Sequence, residues 1–196
     1  MIVCHTIHYF RAMQMNKKNI FIVSAIVLVA AVTRLIPHPM NFAPLGAMAL
    51  FGSAYFGRKG MGLLIVMLAW LASDFILNNF VYSFSDGLIF FTQGAPFIYG
   101  SILLIYLMGS QVLKKINLQR MAGGSLAASI IFFTLSNFGV WFSGTMYPMT
   151  LEGLEACYIA AIPFFTNTLA GDLFYAGALF LLYERVFKTQ LQEQKA

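Results

Sequence analysis

The sequence predicts an all-α membrane protein, a bundle of six transmembrane helices with both termini cytoplasmic. Three observations carry this. Apolar residues make up 60% of the 196 and charged residues only 10%, against about a quarter charged in an ordinary soluble domain. The apolar residues fall into blocks close to the ~20 needed to cross ~30 Å of hydrocarbon. Eleven of the twelve Lys and Arg residues then lie in alternate, inner segments, the bias expected of cytoplasmic loops, which an odd helix count would scramble. Residues 1–19 read as an N-terminal tail, 20–188 as one six-helix transmembrane domain and 189–196 as a C-terminal tail, in the cell (cytoplasmic or inner) membrane. The net charge of +5 marks membrane sides by its distribution and gives no reason to expect a nucleic-acid partner.

In the tail, Met15-Asn-Lys-Lys-Asn19 resembles a second start, so the first 14 residues read as an over-extended start or a mobile tail. Cys4, His5 and His8 lack a further converging ligand, and no metal is expected there. Cys4 and Cys157 fall on opposite sides of the bilayer, so no disulfide is expected. Ile20–Ile36 is the first span; its apolar run continues past Ala31, which favours a retained helix over a cleaved signal peptide.

Arg34-Leu-Ile-Pro-His-Pro-Met-Asn-Phe-Ala-Pro44 then forms an outer hinge, because three prolines in eight residues forbid a continuous helix. Phe42–Phe56 is the second helix. Ala49, Ser53 and Gly57, like Ala43 and Ala47, recur every four residues and suit close backbone packing, within the chain or against another subunit. After the basic turn Gly57-Arg-Lys-Gly60, the third helix, Met61–Leu77, aligns Trp70, Asp74 and Asn78 on one face.

Asn78–Gln93, with Asp86 and no Lys or Arg, is an outer loop. Gly94–Leu113 and Met121–Phe142 are the fourth and fifth helices, the latter with Thr134, Asn137 and Trp141 on one stripe. Ser143–Pro163 is an outer connection holding a short amphipathic helix capped by Thr150, and Phe164–Phe187 is the sixth span.

Polar groups recur at the outer ends of four helices. Asp172, eight residues past Phe164, is expected ~12 Å below that end, where a charge costs ~2.5–3.5 kcal/mol and needs a partner or a watery cavity. The candidate binding set is Arg34, His38, Asn41, Asp74, Asn78, Asn137, Trp141, Asn167, Thr168 and Asp172. Arg34 and His38 would meet an anionic or polar group at the mouth, with Asn137, Asn167 and Asp172 deeper and Trp141 stacking on a ring. A plainer alternative is that Arg34 pairs with Asp74 or Asp172 to hold the bundle together.

The runs Arg34-x-x-Pro-His-Pro-x-Asn-Phe-x-Pro44, Asn137-Phe-Gly-Val-Trp141, Thr150-x-x-Gly-Leu154 and Pro163-Phe-Phe-x-Asn-Thr-Leu-x-Gly-Asp172 resemble a family of small bacterial integral-membrane proteins of unknown function. More loosely, six helices, an outward polar site and a glycine-spaced helix ending in Asp74 are similar to the substrate-binding S components of energy-coupling-factor vitamin transporters. That resemblance implies capture of a vitamin-like small molecule from outside and docking onto an energising module, although the first helix has no alanine pair spaced by four. The expected function is therefore capture of a small polar micronutrient, with the lipid bilayer as surroundings and no cofactor.

Alternatives are a proton-coupled small carrier and an assembly protein without a small-molecule substrate. An enzyme is not expected. Leu169-Ala-Gly-Asp172 lacks the first glycine of the intramembrane aspartyl protease signature, and no phosphate-cradling loop is present.

Overall fold

The computed structural model describes residues 17–57, 60–82, 87–92 and 94–188, and every regular element among them is helical. The elements are α1 (Lys17–Thr33), α2 (Leu45–Phe56), α3 (Gly60–Ile76), α4 (Ala95–Val112), α5 (Leu118–Phe142) and α6 (Leu151–Leu182). Wider π-helical turns continue α3 over Leu77–Val81 and α6 over Tyr183–Lys188. Cys4, His5, His8, the second start at Met15, the Arg58-Lys59 turn, Asp86 and the tail 189–196 lie outside the described residues.

Four segments are long and apolar enough to cross a membrane: Gly60–Val81, Ala95–Val112, Leu118–Phe142 and Leu151–Arg185. The second helix differs from expectation. It has 12 residues, ~18 Å at ~1.5 Å per residue, short of the ~30 Å of a hydrocarbon core. Pro44 sets its start three residues later than expected, and Asn41 to Ala43 remain in the hinge.

The same short helix is the centre of the bundle. It touches all five other helices, and ten of its 12 residues are buried, which is the environment an all-round apolar helix requires. Ala49 and Ser53, from the small-residue face, are buried inside the chain. Gly109 of α4 faces Ser53 and Leu50 so closely that a Cβ there would lie 3.0 Å from Leu50 Cδ2 and closer still to the Ser53 hydroxyl. Gly109→Ala is therefore expected to lower stability by about 1–3 kcal/mol through overpacking, measurable as a lower thermal midpoint in detergent. Gly123→Ala, whose Cβ would meet nothing within 4 Å, should leave the midpoint in place.

The outer connection also differs. Ser143–Pro163 does not end before a separate sixth helix: α6 runs unbroken through Pro163 for 32 residues. The Thr150 cap is present, its side-chain oxygen accepting from Gly153 N at 3.2 Å. Proline removes one ladder bond, yet lateral contacts hold the helix on both sides of it. Tyr158 OH donates to the Thr134 carbonyl at 2.6 Å, and Phe133 packs on both Tyr158 and Phe165. Membrane helices tolerate proline where neighbours support the backbone.

Candidate functional site

The hinge is built from turns that the prolines dictate. Phe42 N donates to Pro39 O at 3.0 Å, and Asn41 takes the left-handed conformation at φ 63°, which asparagine tolerates better than most residues. Asn167 Nδ2 donates to Met40 O at 3.0 Å, tying the hinge to α6. At Gly171 the helix approaches the hinge so closely that a Cβ would lie 3.1 Å from Ala43 N. The irregular chain between α1 and α2 is thus held to α6 at the Met40 carbonyl and at Ala43, while the side chains of Ile36 and Met40 remain exposed.

Where the hinge enters α2, the free N–H groups need acceptors. Pro44 precedes the helix and supplies no side-chain cap. The acceptor comes from α6. Asp172 Oδ1 accepts from Ala47 N at 3.1 Å, and Oδ2 accepts from the Ser129 hydroxyl of α5 at 2.7 Å. A carboxylate is favoured there by the positive end of the helix dipole. Gly46 makes the approach possible, since a Cβ on it would sit 2.5 Å from both carboxylate oxygens. Asp172 is 1% exposed and joins α2, α5 and α6 at one point.

A second polar layer lies nearer the ends of α1 and α3. Arg34 Nη2 meets Asp74 Oδ1 at 2.7 Å, and Nη1 donates to Ser73 Oγ at 2.6 Å. The guanidinium carbon stands 3.4 Å over the Trp70 ring, the flat stacking that arginine makes and lysine cannot. Ser73 in turn donates to Trp70 O at 2.8 Å. Thr92 reaches the other Asp74 oxygen at 3.4 Å. The spacing of Trp70, Asp74 and Asn78 along one helix face accounts for their meeting here.

Between the two layers lies an open cavity of about 400 Å³. Seven of the ten candidate residues line it: Arg34, His38, Asn41, Asp74, Asn78, Thr168 and Asp172. Three do not. Asn167 holds the hinge from behind. Asn137 donates to Phe133 O in its own helix, and its carbonyl receives the Cys157 thiol at 3.4 Å. Trp141 Nε1 donates to Pro148 O at 3.0 Å and Thr150 O at 3.1 Å, closing the α5–α6 turn. Trp141→Phe should loosen that turn, raising its protease sensitivity at least several-fold as local opening becomes easier.

Five contributors were hidden in the sequence. Gly46 has no side chain to notice, and Ser129 is one serine among several in α5. Thr92 sits in a loop without periodicity, and Tyr82 and Phe132 pass for interface and lipid-facing aromatics. Trp70 alone carried a signal, through its place on the Asp74 face. Among the described residues no group of three or more His, Cys, Asp or Glu is arranged to hold a metal ion.

No curated protein and no solved structure matches the chain. Residues 14–194 match the family of unknown function DUF6580; with that match running over nearly the whole sequence, the chain belongs to this family.

Proposed function

We propose that the protein is a multi-pass subunit of the cell membrane that captures a small polar molecule from the outer side, in the manner of an S component, and hands it to an energising partner. The observation that carries this is the cavity: about 400 Å³, at the hinge end of the bundle, with polar groups from the hinge, α3 and its π-helical continuation, and α6 on its wall. A volume of that order suits a small organic molecule. In the proposed topology the hinge and α2 together cross the membrane as one discontinuous segment, both termini are cytoplasmic, and the cavity faces outward. Broken helices that line a site near the middle of the bilayer are a recurrent way to bind solutes in transport proteins.

A second reading, a proton-coupled carrier that works alone, is favoured by Asp172. This carboxylate is buried in the bundle, and no basic side chain among the described residues is within ion-pair distance of it. Buried intramembrane carboxylates commonly mark proton or ion pathways.

The capture reading is tested by native mass spectrometry of the detergent-purified protein, with released small molecules identified. Thr92→Trp, which fills the cavity from a half-buried loop position, is the control. A stoichiometric adduct in the wild type that is lost in Thr92→Trp is expected. An adduct equally abundant in both would place binding elsewhere and sink the proposal. Flux of the identified molecule into liposomes containing this protein alone would favour the carrier.

A further inference from the structure

The charge of the cavity wall differs from what the sequence suggests. Arg34, the side chain placed to attract an anion, has no free charge to offer. Its guanidinium is paired with Asp74 at 2.7 Å, bonded to Ser73 and stacked on Trp70. The ion pair is neutral as a unit. What remains is Asp172, which no basic side chain among the described residues pairs; its partners are the Ser129 hydroxyl and the Ala47 N–H in the first turn of α2. The other polar liners, Asn41, Asn78, Thr92 and Thr168, carry no charge, and His38 turns Nδ1 to the Pro39 carbonyl at 2.9 Å. Asp172 is then the acidic side chain of the wall that has no basic partner among the described residues.

The apolar part of the wall agrees with that sign. Tyr82 and Phe132 line the same space, and aromatic faces attract cations through the ring quadrupole, as the Trp70 ring already does with Arg34. A carboxylate beside aromatic rings in a low-dielectric cavity favours a positive guest and repels a negative one.

We infer that the cavity takes a small organic cation, an ammonium or protonated amine with an apolar or aromatic body, and rejects anions of the same size. This rests on the capture reading above and specifies its ligand class. Asp172 supplies the countercharge, the aromatic side chains the apolar contact, and the asparagine and threonine groups the hydrogen bonds.

The test reads the sign of the cavity without needing the natural ligand. Thr168 lines the cavity one helical turn before Asp172, and Thr168→Cys exchanges one small side chain for another. In the purified full chain, the new thiol is modified with 2-(trimethylammonium)ethyl methanethiosulfonate or with 2-sulfonatoethyl methanethiosulfonate. Each rate is divided by that reagent's rate with free 2-mercaptoethanol. The unsubstituted chain is the blank for Cys4 and Cys157.

The corrected rates should favour the cationic reagent by about tenfold or more, as a focused charge in a cleft does. Asp172→Asn should reduce that preference. Met40→Lys, at a rim position 66% exposed, should reduce it as well without touching the start of α2, so the test survives poor folding of Asp172→Asn. A preference for the anionic reagent, no preference, or a preference that Met40→Lys leaves unchanged overturns the cationic assignment while the capture reading stands. No modification by either reagent overturns both, because the cavity would then be closed to solutes of this size.

Discussion

Asp172→Ala is expected to be the most damaging single substitution in the chain, lowering stability by about 3–5 kcal/mol. It strips the Ala47 N–H of its acceptor inside the bundle and leaves the Ser129 hydroxyl only the Ser125 carbonyl, 3.0 Å away, in place of a carboxylate. Bonds to a charged acceptor contribute about 1.5–3 kcal/mol each, and buried donors left unsatisfied cost a similar amount. The helix affected is the one every other helix touches, so the damage cannot stay local. In thermal unfolding in detergent, a protein of this size should lose roughly 10 °C in midpoint, at ~2–4 °C per kcal/mol.

Gly46→Ala should have the same phenotype by the opposite route, because its Cβ would occupy the space 2.5 Å from the carboxylate oxygens. The two changes remove one interaction, so the double variant should lose far less than the sum of the singles, the signature of direct coupling. Additive losses would mean that Asp172 does not cap α2. Asp172→Asn keeps the shape and one acceptor, and its loss should be smaller, about 1–2 kcal/mol, since a neutral hydrogen bond replaces a charged one.

The second large effect is expected at the ion pair. Arg34→Ala leaves Asp74, whose side chain is 11% exposed, without a counter-ion, and breaking such a pair from one side costs about 3–5 kcal/mol. Arg34→Lys should recover only part of this. Lysine keeps the charge, but it cannot hold Asp74 and Ser73 at once while lying flat on Trp70. The double change Arg34→Met with Asp74→Leu should be markedly more stable than Arg34→Ala, because no buried charge is left alone. If Arg34→Ala unfolds at the wild-type midpoint, the pair is solvated and the Arg34–Asp74 layer does not hold the ends of α1 and α3 together.

The features legible in the sequence are those that composition and periodicity encode. Apolar blocks mark helices, four of them long enough to cross a membrane, and the prolines mark the hinge. Trp70, Asp74 and Asn78 point to one face because three and four residues make a helical turn. The features that stayed hidden depend on distant parts of the chain. Twelve residues of α2 look like any short span until five helices surround them. Pro163 reads as a break because the contacts that carry α6 through it, from Thr134 and Phe133, come from a different helix. Asp172 stands out as an acidic residue within an apolar helix, but its service to the start of α2 depends on Gly46, 126 positions earlier in the numbering. Asn137 and Trp141 lie on a polar stripe and face local backbone carbonyls instead of the cavity.

The orientation of the cavity is what joins the fold to the proposed capture role, and labelling in intact cells tests it most directly. Met40→Cys stands on the exposed rim of the cavity, and Lys115→Cys follows α4 at the opposite end of the bundle. With a membrane-impermeant maleimide, Met40→Cys should react in intact cells, and Lys115→Cys only after permeabilisation. Reaction of Lys115→Cys in intact cells, with Met40→Cys protected until the membrane is opened, would contradict capture from outside and place the mouth of the cavity in the cytoplasm.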